Sequence, residues 1–196
     1  LFTVHDKADV RLYDTMQRGA RTLETIRPGR VSMYSCGPTV DQRISLSKCR
    51  RYVFADLMRR YLEYRGYKVQ HLVNITDLDD KTIQGAERAG QDLKTFTQHY
   101  TALFKQDMDF LGVRPADHYP LASEHVDDMV QMARQLVRKG LAYEKLRSLY
   151  FDISRFDDYG RLSGTDLDKI RLGHTVDLDD YEKQNPRDFT LLKRAR

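Results

Sequence analysis

Residues 31–39, Val-Ser-Met-Tyr-Ser-Cys-Gly-Pro-Thr, decide the fold of this chain. The first five alternate apolar and polar side chains, which is the pattern of a half-buried β-strand, and the Gly-Pro pair ends it. From about Lys48 to Arg65 apolar side chains recur at helical spacing, and Gly66 follows where a helix C-terminal cap belongs. Residues 68–73 read as a second strand. A strand, a helix and a strand in this order form a βαβ crossover, which predicts two parallel strands.

Outward from this unit the pattern is mostly helical. The predicted elements are helices at 79–89, 92–111 and 123–139 and a strand at 149–153. The first 30 residues are polar and irregular, and the acidic stretch 157–185 predicts an irregular or partly helical insertion. These features predict an N-terminal extension or linker over 1–30, a Rossmann-like βαβ core over 31–112, and a helical and irregular connective part over 113–196.

The composition describes a globular chain of 196 residues, with 40% hydrophobic and 32% charged residues. No apolar run approaches the roughly 20 residues of a membrane helix, so we expect no membrane partner. The net charge of +4 is mild and spread along the chain, and does not by itself indicate nucleic-acid binding. Cys36 and Cys49 are too few for a disulfide framework, which favours the cytoplasm.

Polar residues follow both strands of the predicted crossover. Cys36, Gly37 and Thr39 come after the first strand, and Asn74 and Thr76 after the second. Ligands of parallel sheets bind at the carboxyl ends of the strands, so these residues predict a polar pocket. A glycine lets a ligand approach the backbone, and a cysteine there is either a thiolate ligand or a small buried residue.

Three carboxylates, Asp77, Asp79 and Asp80, stand between this pocket and the next predicted helix. Such a group can bind a metal ion. We expect it to cap the helix instead, because carboxylates are favourable at a helix N-terminus.

The motifs resemble one family. Residues 33–40, Met-Tyr-Ser-Cys-Gly-Pro-Thr-Val, resemble the MYxCGPTV signature of class I cysteinyl-tRNA synthetases. Further segments match the family's motifs, in the family's order along the chain: 12–15 before this signature, and 60–69, 74–81, 139–143 and 185–189 after it. The resemblance implies the N-terminal part of a catalytic domain. It also implies an α/β, Rossmann-like (HUP-type) parallel sheet with a helical second part, incomplete because the family's later strands lie beyond Arg196.

The resemblance also implies site residues and cofactors. Gly37, Thr39, Asn74 and Thr76 would line a pocket for an aminoacyl-adenylate or nucleotide, and ATP would be the co-substrate. Cys36 would be the first of four zinc ligands. The family's other zinc ligands, its KMSKS loop and its anticodon-binding domain lie beyond residue 196. We therefore expect one remnant ligand, no complete zinc site, and no tRNA contact through an anticodon-binding domain.

One departure falls inside the matched region. The family's HIGH motif stabilises the ATP phosphates, and at its register this sequence has Ser45, Leu46, Ser47 and Lys48. We interpret the chain as a degenerate paralogue that has lost ATP-dependent cysteine activation. It would serve as a binding or interaction module, as a homo-oligomer or with a fused or separate partner protein.

Two alternatives stay open. The chain can be the N-terminal portion of an active ATP-dependent cysteine–tRNA ligase. It can also belong to a different nucleotidyl-transfer enzyme on the same fold, with Lys48 and Arg50 binding phosphate at a helix N-terminus.

Overall fold

The computed structural model of the protein describes residues 9–164, 185 and 187–193. The elements in chain order are β1 (Arg11–Asp14), β2 (Gly19–Thr22), β3 (Arg30–Ser35), α1 (Leu46–Tyr64), β4 (Lys68–Val73), α2 (Asp80–Ala89), α3 (Leu93–Phe110), α4 (Val126–Arg138), β5 (Ala142–Lys145), β6 (Ser148–Phe151) and β7 (Phe189–Leu192). Their contacts group them into two compact units, one built on Leu23–His125 and the other on Arg11–Thr22 with the chain from Val126 onward. The domain boundaries predicted from the sequence stay a proposal. Most of the acidic stretch 157–185 lies outside the described residues.

The first unit contains the predicted crossover. β3 and β4 pair in parallel, from Arg30 opposite Lys68 to Ser35 opposite Val73. α1 connects them, and Gly66 follows it with a φ of 86°, a conformation that glycine adopts without strain. The predicted strand–helix–strand order is therefore confirmed.

The core of this unit lies between α1, β4 and α3. Cys49 and Tyr52 of α1 are buried against Val73 of β4 and against Phe104 and Met108 of α3. The rings of Tyr52 and Phe104 meet edge to face, with centroids 5.1 Å apart. This packing fixes the N-terminal half of α1 beside the carboxyl end of β4.

The apolar stripe that marks α1 in the sequence lies mostly on its exposed side. Phe54 and Leu57 are 61% and 62% exposed, and Val53, Tyr61 and Tyr64 are exposed as well. The residues of α1 that are buried are small or polar, apart from Tyr52 and Leu62. The stripe therefore predicts the helix correctly, while the buried residues of α1 other than Leu62 lie on its other side.

A third extended segment runs along the far edge of β4. His118 and Leu121 form parallel bridges with Leu72 and Ile75. The amide of Val73 donates to the carbonyl of His118 at 3.1 Å, which extends the hydrogen-bonded layer beyond the two strands of the crossover.

α2 and α3 form as predicted, with acidic caps. Asp79 makes a reciprocal capping box with Thr82 at the start of α2, and Asp92 accepts from the amide of Thr95 at the start of α3. Gly85 lets α3 approach α2, because an added Cβ there would lie 2.6 Å from the ring of Phe96. The helices predicted at 79–89 and 92–111 are confirmed.

The second unit contains more strand than the sequence predicts. β1 and β2 form an antiparallel hairpin within a region that was predicted to be irregular, and that prediction is wrong for these eight residues. β5, β6 and β7 form an antiparallel sheet, of which only β6 was predicted. The turns carry no glycine or Asn-Gly signal: Arg18, Leu146 and Arg147 hold the positive φ angles. α4 follows a 3-10 turn at Ala122–His125, so the predicted helix starts later than expected.

A buried carboxylate ties the strands of this unit together. Asp188 is 1% exposed and accepts hydrogen bonds from the hydroxyl of Tyr143 at 2.7 Å and from the amide of Ile153 at 3.2 Å.

Among the described residues, no helix is both long and apolar enough to cross a bilayer.

Candidate functional site

The pocket residues lie where the parallel pairing of β3 and β4 is interrupted, between Ser35 and Thr39 on one side and Val73 and Thr76 on the other, an interruption that we call the bulge. Ser35 is opposite Val73, and the next bridge joins Thr39 to Thr76. Thr39 lies four residues beyond Ser35, whereas Thr76 lies three residues beyond Val73, so the first strand carries one extra residue. Bulges redirect side chains next to functional sites. Here the bulge places Cys36 at an exposed position where β3 ends.

The side chain of Asn74 spans the interruption. Its Oδ1 accepts from the amide of Gly37 at 2.8 Å and from the hydroxyl of Tyr34 at 2.8 Å. Its Nδ2 donates to Oγ1 of Thr76 at 3.2 Å. After the bulge the backbone ladder resumes, since Val40 donates to the carbonyl of Thr76 at 3.2 Å.

α1 holds the other side of the bulge. The hydroxyl of Tyr52 donates to the carbonyl of Cys36 at 3.3 Å, and Arg51 donates to the carbonyl of Gly37 at 3.2 Å and to Tyr52 at 2.8 Å. Burial raises the pKa of Tyr52 in spite of the adjacent guanidinium, so the phenol stays protonated and donates. Sequence reasoning missed both residues. Their place one turn into the helix of a βαβ unit is the signal that could have found them.

Gly37 is required by the chain itself. A Cβ at this position would lie 1.3 Å from the carbonyl oxygen of Asn74. This close approach of the two backbone segments, which we call the strand crossing, therefore excludes any side chain at position 37, whether or not a ligand is bound. The approach of a ligand to Gly37 stays a prediction.

The structure brings the five predicted pocket residues to one end of the parallel pair. Cys36, Gly37 and Thr39 follow β3, and Asn74 and Thr76 follow β4, with Thr39 directly opposite Thr76. Their predicted proximity is confirmed. Their predicted role in binding a ligand stays a proposal.

The residues at the HIGH register form the start of α1. Ser45 is the N-cap but makes no side-chain cap; its Oγ lies 3.1 Å from Oγ of Ser47. Leu46 and Lys48 are exposed in the first turn. The amides of this turn and the charge of Lys48 make it favourable for an anion.

Beneath the bulge lies a buried histidine. Nε2 of His71 is 2.9 Å from Oγ of Ser35, and the amide of His71 donates to Asp117 at 2.7 Å. Burial lowers the pKa of His71, and the nearby Arg59 lowers it further. The hydrogen bond from the amide of His71, helped by Arg59, holds the pKa of Asp117 below its usual range.

The three carboxylates after the pocket have separate roles. Asp79 caps α2 and Asp80 lies in its first turn, as expected. The expectation is wrong for Asp77, which is buried and accepts from the amide of Ser123 at 2.9 Å. It caps the following 3-10 turn because the chain from His118 to Ala122 returns alongside β4.

A zinc ion would need more ligands than this region provides. In the part of the chain that the structure describes, no three His, Cys, Asp or Glu side chains come together as a metal site. Cys36 offers one thiolate, and protein zinc sites use three or four protein ligands. The described residues alone therefore do not fit a zinc site.

Comparison with known proteins agrees with this geometry. The family model described as the catalytic domain of class I (C) tRNA synthetases matches residues 22–196. The chain therefore belongs to this family of class I tRNA synthetase catalytic domains. The cysteine–tRNA ligase of Methanosarcina mazei is 48% identical over 184 residues, covering 94% of this chain and 39% of that protein. The ligase of Pyrococcus abyssi is 41% identical over 187 residues, covering 95% and 39%.

Solved structures show the same fold. A leucyl-tRNA synthetase from Agrobacterium radiobacter K84, in a ternary complex with tRNA and LeuAMS, aligns over 66% of this chain and 17% of its own, with a TM-score of 0.53 and 23% identity. Methionyl-tRNA synthetase of Mycobacterium tuberculosis, bound to methionyl-adenylate, aligns over 64% and 25%, with a TM-score of 0.55 and 15% identity. The predicted α/β Rossmann-like class is confirmed. The chain spans about two-fifths of the length of the ligases it matches.

Proposed function

We propose that this chain is the N-terminal part of the catalytic domain of an ATP-dependent cysteine–tRNA ligase. The observation that carries the proposal is the 48% identity to the ligase of Methanosarcina mazei, which extends over 94% of the chain. The polar residues that come together at the ends of β3 and β4 support it, because ligands of open α/β sheets bind at this edge.

In this function the residues divide the work of binding. Gly37, Thr39, Asn74 and Thr76 border the space for cysteine and its adenylate. The first turn of α1, with Lys48 and then Arg50, presents positive charge to the ATP phosphates. Cys36 would be one ligand of a zinc ion whose remaining ligands come from outside the described residues. The natural partners would be ATP, cysteine and tRNA, and the place of action the cytoplasm.

A second candidate is favoured by one observation. Ser45 and Lys48 occupy the positions where the family has the two histidines of HIGH, and neither can place an imidazole against the phosphates. A chain that binds the adenylate but does not form it would be a binding module. The comparisons support the ligase more directly than this module.

A chimera separates the two candidates. The matched segment of the Methanosarcina mazei ligase is replaced by this chain, and cysteine-dependent exchange of pyrophosphate into ATP is measured. Exchange above that of a cysteine-free control supports the ligase. Exchange that appears only after Ser45→His and Lys48→His supports the binding module.

Binding is measured on the chain itself by calorimetry with a non-hydrolysable cysteinyl-adenylate analogue. Affinity that is lost in Thr76→Ala supports the pocket in both candidates. No exchange in either chimera, together with no binding at millimolar analogue, would refute both.

A further inference from the structure

We propose that Asn74 is a positioning residue. Its side-chain amide takes the place of a backbone hydrogen bond that is missing between the strands after Ser35, and it thereby fixes the bulge that carries Cys36. The structural part of this inference stands on the fold alone. Its consequence for cysteine binding rests on the proposed function.

The bulge leaves backbone groups without a strand partner. Buried or half-buried amides and carbonyls must be paired, because an unpaired one costs about 1–3 kcal/mol in lost solvation. Side chains supply the partners here: Asn74 for the amide of Gly37, Tyr52 for the carbonyl of Cys36 and Arg51 for the carbonyl of Gly37. Asn74 is the member of this set that comes from the opposite strand.

Asn74 is itself held in one orientation. Both acceptor sites of Oδ1 are used, one by Gly37 and one by Tyr34, and Nδ2 donates to Thr76. The reversed amide would put a donor against the amide of Gly37, which can only donate, so the Gly37 amide fixes which end of Asn74 is the oxygen. With both acceptor sites used, this oxygen would act on a ligand at the bulge through the backbone of Gly37 and Cys36.

The close contact between the backbones of Gly37 and Asn74 requires glycine at position 37. The backbone of residue 37 lies so close to the carbonyl of Asn74 that no side chain is accommodated. Loss of the Asn74 amide would remove the hydrogen bond to Gly37 while leaving this close crossing in place. The expected effect is therefore local opening of the bulge, not loss of the β3–β4 pair.

The direct test is hydrogen exchange of the Gly37 amide, measured by NMR. In Asn74→Ala we expect exchange at Gly37 to speed up at least about tenfold relative to the amides of α1, since one hydrogen bond of about 1.4 kcal/mol is lost. Tyr34→Phe and Thr76→Val each remove one of the groups that orient Asn74, and we expect about threefold faster exchange in each. Tyr64→Phe is the matched control, because it deletes a hydroxyl from a similarly exposed tyrosine of α1.

Two outcomes would overturn the proposal. One is unchanged exchange at Gly37 in a folded Asn74→Ala chain, and the other is exchange that rises only in step with the α1 amides. If Asn74→Ala does not fold, unchanged exchange in both Tyr34→Phe and Thr76→Val overturns it.

The cysteinyl-adenylate analogue separates this inference from the proposed function. We expect its affinity to fall in Asn74→Ala and to be unchanged in Tyr64→Phe. If the unmodified chain binds no analogue but Gly37 still opens in Asn74→Ala, the proposed function fails and the positioning role stands. If the analogue binds and Gly37 does not open, the reverse holds.

Discussion

The sharpest prediction concerns a single methyl group at the strand crossing. In Gly37→Ala the new Cβ starts 1.3 Å from the carbonyl oxygen of Asn74 and 2.5 Å from its carbonyl carbon. Both are backbone atoms, so no side chain can rotate away. A separation of at least 3.0 Å is needed, so the two segments must move apart by about 1.7 Å.

The hydrogen bonds around the crossing set the size of the effect. Three of them depend on the present spacing: the amide of Gly37 to Asn74, the amide of Val40 to Thr76 and the amide of Thr76 to Pro38. At about 1 kcal/mol each, their loss lowers the free energy of unfolding by about 3 kcal/mol. That is a large part of the 5–15 kcal/mol typical of a domain, by order of magnitude.

A series of Gly→Ala variants makes this measurement specific. The free energy of unfolding is measured by urea denaturation. Gly19→Ala is the control, because its nearest atom lies 3.9 Å from the added Cβ and we expect a change within about 0.5 kcal/mol. Gly85→Ala should fall between the two, because its Cβ meets the ring of Phe96, which can shift. If Gly37→Ala is no more destabilising than Gly19→Ala, the close crossing is not present in solution.

Three further predictions test the buried polar groups. The lowered pKa of His71 means that the unfolded chain binds a proton more readily than the folded one. The contribution of His71 to the free energy of unfolding is therefore full above about pH 6.5 and falls as the pH drops below that value. Denaturation at pH 7.5 and 5.5 should show this loss, and a loss of equal size in His71→Gln would contradict the assignment. Asp188→Ala removes the shared acceptor of two hydrogen bonds and should cost about 3 kcal/mol in urea denaturation, against about 1 kcal/mol for Tyr143→Phe, which removes one of the two bonds; equal losses would contradict the buried role of the carboxylate. Asp79→Ala removes the capping box of α2 and should cost about 1 kcal/mol, whereas Asp80→Ala should change stability by half of that or less; the reverse order would show that the cap is misassigned.

The parallel pair was predictable because its signals are local. Alternation in residues 31–35, helical spacing after Lys48 and Gly66 at the helix end each correspond to one element of the crossover. The hairpins of the second unit were not predictable in this way. Their turns place Arg18, Leu146 and Arg147 at positive φ, so the glycine that usually marks such a turn is absent.

The residues around the pocket were predicted in part. Those at the strand ends follow from the general rule for parallel sheets, and the structure brings them together. Tyr34, Arg51 and Tyr52 were missed, because their contacts depend on the bulge and on the rotation of α1 against it. Only the position of Arg51 and Tyr52 near the start of α1 points to them in the sequence. The prediction that Asp77 caps α2 fails for a similar reason. Asp77 caps a turn that lies 46 residues further along the chain, so the contact depends on the tertiary fold.

The extra residue at the bulge constrains the number of residues between Ser35 and Thr39, in addition to their identity. Side chains alternate between the two faces of a strand, so removal of one residue shifts every later side chain by one position. Val40, now 1% exposed, would move toward the solvent, and its place in the core would go to Asp41. Cys36, now exposed, would lose the interruption in the pairing that follows Ser35. The number of residues between Ser35 and Thr39 therefore sets which side chains enter the core after the bulge.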